Sequence, residues 1–425
     1  MVNTRNNKLN PLFASFIAIL PVIPEYFRVG GYPVLVFLPI IPFFVLGFGG
    51  RKIKIPKSFK KVLLPLLLIA ILSYGRHGEI SSFFRYVTTV VMTVLVIGNY
   101  IKDDDDIYRS LSVLAYVGLI MCLLGIVEKI TGFNIFSLIE TDASQSAKAS
   151  IRGGIARVEL SFGTPIVAGL YMIFINAIAR ILVKDERTSK NKKYVLYFII
   201  VMTFVITYWT DSRMCMMTII LMQVLFFMRN RWSKKVTTGI VILFILAIDF
   251  AMQGILYQFY GKYLTLIGSI FSSGSGTTDV TAAYRFQLFP TLIPKIKDSL
   301  LFGYGSDYMN QYTFSIWSHT YYSIDNMFLD VLMRHGLAGL ILVLTPIVYS
   351  IVLSYKLMRK KNMVGYHFFC LFVIYLLNLV SVTQLGEQKI FYTLFGILLT
   401  MTYLFQKENK RTMTEQFENT VISKR

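Results

Sequence analysis

The sequence predicts an all-α protein that crosses a membrane many times. Of its 425 residues, 55% are hydrophobic and only 16% are charged, too apolar a balance for a soluble core alone. The apolar residues gather into runs close to the roughly 17 to 25 that a helix needs to cross hydrocarbon. The basic residues gather in alternate gaps between those runs, the bias that orients membrane proteins.

Read in order, segments 12–28, 33–49, 62–75, 83–101, 110–127, 164–183, 194–210, 213–228, 236–253, 330–355, 365–383 and 389–405 are the expected spans, about 12 in all. The first follows Arg5 and Lys8 but lacks a small-residue cleavage pattern, so it is expected to be a retained helix. Pro21, Pro24, Pro39 and Pro42 interrupt the first two segments, where proline removes helix hydrogen bonds. Asp103 to Asp106 precede the fifth, and acidic residues complement a helix N-terminus. The inward gaps then hold Arg51 to Lys61, Lys102 and Arg109, Arg180 to Lys193, Arg229 to Lys235, Lys356 to Lys361 and the tail 406–425. Both termini fall inside, and 1–425 reads as one integral membrane domain.

Two outer gaps are long, 128–163 and 254–329, and loops of that length are uncommon unless functional. Within the second, Phe286, Phe289, Leu292, Ile293 and Ile296 fall at near-helical spacing, as in a helix lying on the membrane surface. Several function classes drop out. The net charge of +20 sits in short loops beside apolar runs, so orientation accounts for it and no nucleic-acid partner is implied. Cys122, Cys215 and Cys370 are too scattered for a disulfide framework or a metal site. GYGSD at 303–307 has neither the pattern nor the strand of a nucleotide loop.

The outward cations are Arg28, Arg76, Arg85, Lys129, Lys148, Arg152, Arg157, Arg213, Lys262, Arg285, Lys295, Lys297, Arg334 and Lys389. Most are arginines, whose rigid fork of donors matches phosphate oxygens. Several together near an outer leaflet suit a lipid-linked pyrophosphate.

Three stretches carry a family resemblance: WTDSRMCMM at 209–217, YRFQLFPTLIPKIKDSLLFGYG at 284–305 and SIDNMFLDVLMRHGLAGL at 323–340. With RVELSFGTPIVAGLYM at 157–172 before them, they resemble in order the signature regions of the O-antigen ligase and Wzy-type polysaccharide polymerase superfamily. The resemblance implies a GT-C-like, inverting glycosyltransferase of the bacterial cytoplasmic membrane. Its donor and acceptor would be glycans on undecaprenyl pyrophosphate, with no cofactor, no metal and, in some cases, a chain-length regulator as partner.

It also implies roles. Arg213 matches the arginine of the family's Ser-Arg turn, and Arg285 the arginine that opens its large-loop helix. Asp325 and Asn326 stand where ligases carry a His-Asn pair, so Asp325 becomes the expected general base, a departure that favours a polymerase. Each has an ordinary reading as well: Arg213 snorkelling or paired with Asp211, Arg285 on a charged helix face, Asp325 as a helix cap. Arg157 and Glu159 are candidates for binding sugar or phosphate or for a surface ion pair. Arg76, His77, Glu79 and Arg85 are candidates for the carrier site, and Arg334 and His335 for phosphate contact. His319 is a second candidate base. Ligase-type transfer to another acceptor, or a lipid-linked oligosaccharide flippase, are the alternatives. A flippase should carry charges deep in its spans, and these spans are nearly uncharged.

Overall fold

The computed structural model describes residues 9–24, 26–29, 32–48, 57–75, 80–139, 151–152, 155–228, 280–316, 319–321, 324–360, 362–382 and 389–422. The predicted span 236–253, the turn holding Arg76, His77 and Glu79, and Lys148 and Lys262 lie outside them.

The described chain is mostly helical. It begins with α1 (Pro11–Ile19), a hairpin of β1 (Arg28–Val29) and β2 (Tyr32–Pro33), α2 (Val34–Phe37), α3 (Ile40–Phe48) and α4 (Lys57–Gly75). Next come α5 (Ile80–Tyr86), a π-helical stretch Val87–Met92, α6 (Thr93–Tyr100) and α7 (Asp104–Thr131). A second hairpin, β3 (Ile151–Arg152) and β4 (Ile155–Ala156), leads to α8 (Pro165–Lys184), α9 (Lys190–Trp209) and α10 (Arg213–Met228). Then follow α11 (Val280–Asp298), α12 (Ser306–Gln311), a third hairpin of β5 (Phe314–Ile316) and β6 (His319–Tyr321), α13 (Met327–Arg359), α14 (Met363–Asn378) and α15 (Lys389–Ile422).

Seven helical stretches among the described residues are long and apolar enough to span a membrane: 83–100, 104–131, 165–184, 190–209, 327–359, 363–381 and 389–408. Two shorter apolar stretches, 34–48 and 213–226, join them. The protein is a multi-pass membrane protein. The first expected span is where the structure differs most. Its helix stops after Ile19 and the chain turns through Pro21 and Pro24 into the β1–β2 hairpin, because neither proline can donate the backbone bond a continuing helix needs. The acidic run behaves as expected: Asp103 caps α7 by accepting from the Asp106 N–H at 2.8 Å.

Two cores organise the packing. The large one is centred on α8, which contacts α7, α9, α10 and α14, while α15 packs on α6 and α13 on both α4 and α14. Inside it, Asn176 of α8 donates to Thr203 of α9 at 2.8 Å and accepts from Gln223 of α10 at 2.7 Å. Asn378 of α14 donates to Thr218 of α10 at 2.9 Å. Such side-chain bonds tie helices together where lipid supplies no hydrophobic drive. The three cysteines are buried and form no disulfide.

The smaller core forms a cap. Tyr284, Leu288, Leu292 and Ile296, one turn apart on α11, pack with Met309, Phe314, Ile316 and Ile324 against Leu329 and Met333 at the start of α13. Phe289 and Ile293, which flank that buried stripe on α11, are left exposed.

Candidate functional site

Arg213 opens α10 straight after a three-residue turn, and that turn is held from outside by a strut of hydrogen bonds. The strut begins at Glu128, buried one turn before the end of α7. Its two carboxylate oxygens accept from the consecutive backbone N–H groups of Glu159 and Leu160, each at 2.9 Å. Leu160 sits at φ 54° and Gly163 at φ 65°, a tight reversal that local sequence alone does not favour. Asn134 donates to the Leu160 carbonyl at 2.8 Å, and the Lys129 ammonium to the Ala156 carbonyl at 2.7 Å.

The segment so fixed reaches the turn. Arg157 Nε donates to the Thr210 carbonyl at 2.8 Å, and the Val158 N–H to the Trp209 carbonyl at 3.1 Å. These bonds satisfy carbonyls left over at the C-terminus of α9. Asp211 follows at φ 48°, a left-handed conformation that aspartate tolerates better than most residues. Gly169 of α8 allows the close approach below: a Cβ there would come within 2.9 Å of Cys215 Cβ and 3.2 Å of Thr210 Oγ1. An open cleft lies beside the strut, with Tyr26, Lys129, Asn134, Arg157 and Glu159 on its walls.

The cap holds the second group of residues. Asn326, buried, caps α13 by accepting from the Leu329 N–H at 3.2 Å. The cap is thus Asn326 and not its neighbour Asp325, which is half-buried beside it. The helix then breaks at Gly336, with φ 62° and ψ −162°. A break in a helix exposes backbone groups that must find partners, and here the turn after α11 supplies them. The N–H groups of Tyr304 and Gly305 donate to the carbonyls of Met333 and Arg334 at 2.7 and 2.9 Å. Those of Leu337 and Ala338 donate to Leu300 and Leu301 at 2.8 and 3.1 Å.

Two glycines make this clasp possible. A Cβ at Gly303 would lie 2.5 Å from the Arg334 carbonyl carbon, and one at Gly336 would lie 2.4 Å from the Leu301 carbonyl group. The half-helix 327–335 is therefore bound to α11, while 337–359 remains long enough to span. Just before the break, the buried Asp330 carboxylate accepts from Arg334 Nε at 2.9 and 3.1 Å, and His335 is buried beside it in sequence.

Arg157, Glu159 and Arg213 thus share one assembly, and Asp325, Asn326 and Arg334 share the other. Arg285 lies in α11 and His319 in β6, where the backbone is described and the side chain is not. Arg85 lies in the last turn of α5, its carbonyl accepting from Thr88 and Thr89 at 3.1 and 2.7 Å. Sequence reasoning missed Glu128, Asp330 and the two glycines. A carboxylate at the end of a long apolar run was a signal for the first, and an Asp–Arg pair four residues apart for the second.

Residues 198–344 match the model of a family described as O-antigen ligase. No curated protein matches the chain. The matched stretch runs from within α9 through the Arg213 turn, α10, α11 and the clasp into α13, and it supports the O-antigen ligase and Wzy-type superfamily.

Proposed function

We propose that this chain is a membrane glycosyltransferase that polymerises oligosaccharide repeat units carried on undecaprenyl pyrophosphate. The family match supports glycan transfer of the ligase or polymerase kind. Polymerisation, the carrier, a bacterial cytoplasmic membrane with both termini inside, and a GT-C-like body of about 12 spans extend that support. In this reading 128–163 and 254–329 lie outside and 406–425 inside. One observation carries it: a single match takes in the α9–α10 turn, α11 and the capped half-helix, where Arg213, Arg285 and Asp325 stand in that order.

The chemistry follows from those residue types. An acceptor sugar hydroxyl attacks the anomeric carbon from the face opposite the carrier, and Asp325 takes its proton. The bond from the anomeric carbon to the phosphate oxygen breaks, its electrons leaving with the carrier. Arg213 and Arg285 neutralise the charge that grows on the departing pyrophosphate. Arg76, Arg85 and Arg334 face the carrier, Arg157, Glu159 and His319 the sugars, and Asn326 places Asp325 by capping the helix behind it. No cofactor enters.

Reconstituting the full chain with a synthetic lipid-linked repeat unit tests this. A ladder of lengthening products, lost in both Arg213→Ala and Arg213→Lys, is expected; the lysine fails because it cannot make the bidentate contact. A single addition to a different acceptor would mean a ligase, the reading that the matched family's description favours. Movement of the lipid across the bilayer without new bonds would mean a flippase.

A further inference from the structure

Across the outer cap runs a file of aromatic rings that the proposed chemistry does not use. Tyr304 and Tyr308 have ring centroids 4.9 Å apart, Tyr308 and Tyr312 5.5 Å, Tyr312 and Phe314 6.1 Å, and Phe314 and Tyr321 5.8 Å. Successive planes differ by only 23 to 28°. Tyr321 closes the file against Tyr284 at 4.4 Å, and the Lys295 ammonium lies 5.2 Å from the Tyr304 ring at the other end.

The two ends differ in kind. Phe314 and Tyr284 are buried and belong to the core of the cap, so packing explains them. Tyr308 is 40% exposed on the six-residue α12, and packing does not explain it. Lipid contact is better supplied nearby, where Leu300, Leu301 and Phe302 project at 42, 64 and 51% exposure from the turn that clasps α13.

We propose that the exposed end of this ladder, Tyr308 and Tyr312 with Lys295, is a carbohydrate-binding track that holds the glycan on its way to or from the site. A pyranose ring presents polarised C–H groups that are attracted to the negative face of an aromatic ring, and its hydroxyls pair with phenols and an ammonium. Tyrosine loses little conformational freedom on binding. The spacing of the rings is close to the length of one sugar. At its buried end the ladder abuts the proposed chemistry, since Tyr284 precedes Arg285 and Ile324 precedes Asp325 within the same core. The track thus deepens the glycan-transfer reading by giving the polymer a surface beyond the reacting bond.

The test measures binding without transfer. The full-length protein in nanodiscs is mixed with oligosaccharides from mild acid hydrolysis of the producing cell's own surface polysaccharide, and binding is followed by saturation-transfer NMR and by thermophoresis. Wild type should bind, and Tyr308→Ala should bind about tenfold more weakly at an unchanged thermal midpoint. Tyr308→Trp should restore binding. Absence of wild-type binding, or equal binding by Tyr308→Ala, overturns the track. Binding through Tyr308 by a protein that makes no product on reconstitution would leave the track standing and remove the transferase reading instead.

Discussion

The turn before Arg213 and the break at Gly336 both redirect a helix within the matched stretch, and they are held in opposite ways. At the turn, side chains do most of the holding, beside one backbone bond from Val158 to Trp209. Glu128 secures the 157–160 segment, Arg157 secures Thr210, and a non-glycine residue, Asp211, takes the left-handed conformation. At the break, backbone holds backbone. Four N–H groups and four carbonyls pair across the clasp, with no space for a Cβ at Gly303 or Gly336. Side chains can be exchanged for others with similar donors and acceptors, whereas a filled contact between backbones cannot adapt. The turn should therefore tolerate conservative substitution and the break should not.

Gly336→Ala is the strongest way to break this contrast. The new Cβ meets the Leu301 backbone at 2.4 Å, and together with the left-handed φ the strain should cost about 2–5 kcal/mol. Thermal unfolding in detergent should show the loss, and limited proteolysis should cut first within the cap, between α11 and α13. Gly303→Ala should behave alike, and an unchanged midpoint in both would mean that the clasp is not fixed.

Glu128→Gln comes next. The amide keeps one acceptor but offers a donor where a second acceptor is needed, so one of the two buried N–H groups loses its partner at about 1–3 kcal/mol. The sharper readout is functional. Product formation should fall, in kcat through Arg213 and in KM through Arg157 and Glu159, both of which the strut places, and Glu128→Asp should not restore it because the shorter side chain cannot reach both N–H groups.

Asp211→Gly should be the mildest change at the turn, from neutral to about 1 kcal/mol stabilising, because glycine adopts the left-handed conformation without steric cost. A loss of stability instead would show that the aspartate side chain, and not the backbone shape, secures the turn.

The smallest effect lies on the predicted inner side, between α8 and α9. Hydrogen bonds from the Arg187 side chain hold the Asp185 carboxyl below the usual aspartate range, and Arg187 also reaches Asp105 of α7 at 2.8 Å. A depressed carboxyl stabilises the fold above its unfolded pKa, and the contribution fades as pH falls through the folded value. Wild type should thus exceed Asp185→Asn by a few tenths of a kcal/mol at neutral pH, given the exposure of the pair. The gap should close below about pH 4. A gap that widens on acidification would contradict the pairing.

Much of the fold was legible in local pattern. Apolar runs marked the helices, with 164–183 predicted and α8 found at Pro165–Lys184. The acidic run 103–106 marked the start of α7, and the near-helical spacing of apolar residues over 286–296 marked α11. The first segment misled because hydropathy does not register how two prolines end a helix. The proposed site was readable in sequence as a set of residue types, but not as an arrangement. Asp325 was the expected helix cap if it had no catalytic role, and the bond to the Leu329 N–H gives the cap to Asn326 instead.

Composition and order along the chain determined that this protein sits in a membrane and which stretches resemble a family's signature regions. Those properties rest on each residue's exchange between water and lipid, which neighbours in sequence already set. The tertiary structure alone decided that Glu128 supports a chain segment 31 residues away, that the GYG turn clasps a broken helix, and that six rings line up on the cap. These depend on contacts between distant segments, whose close approach no local preference encodes.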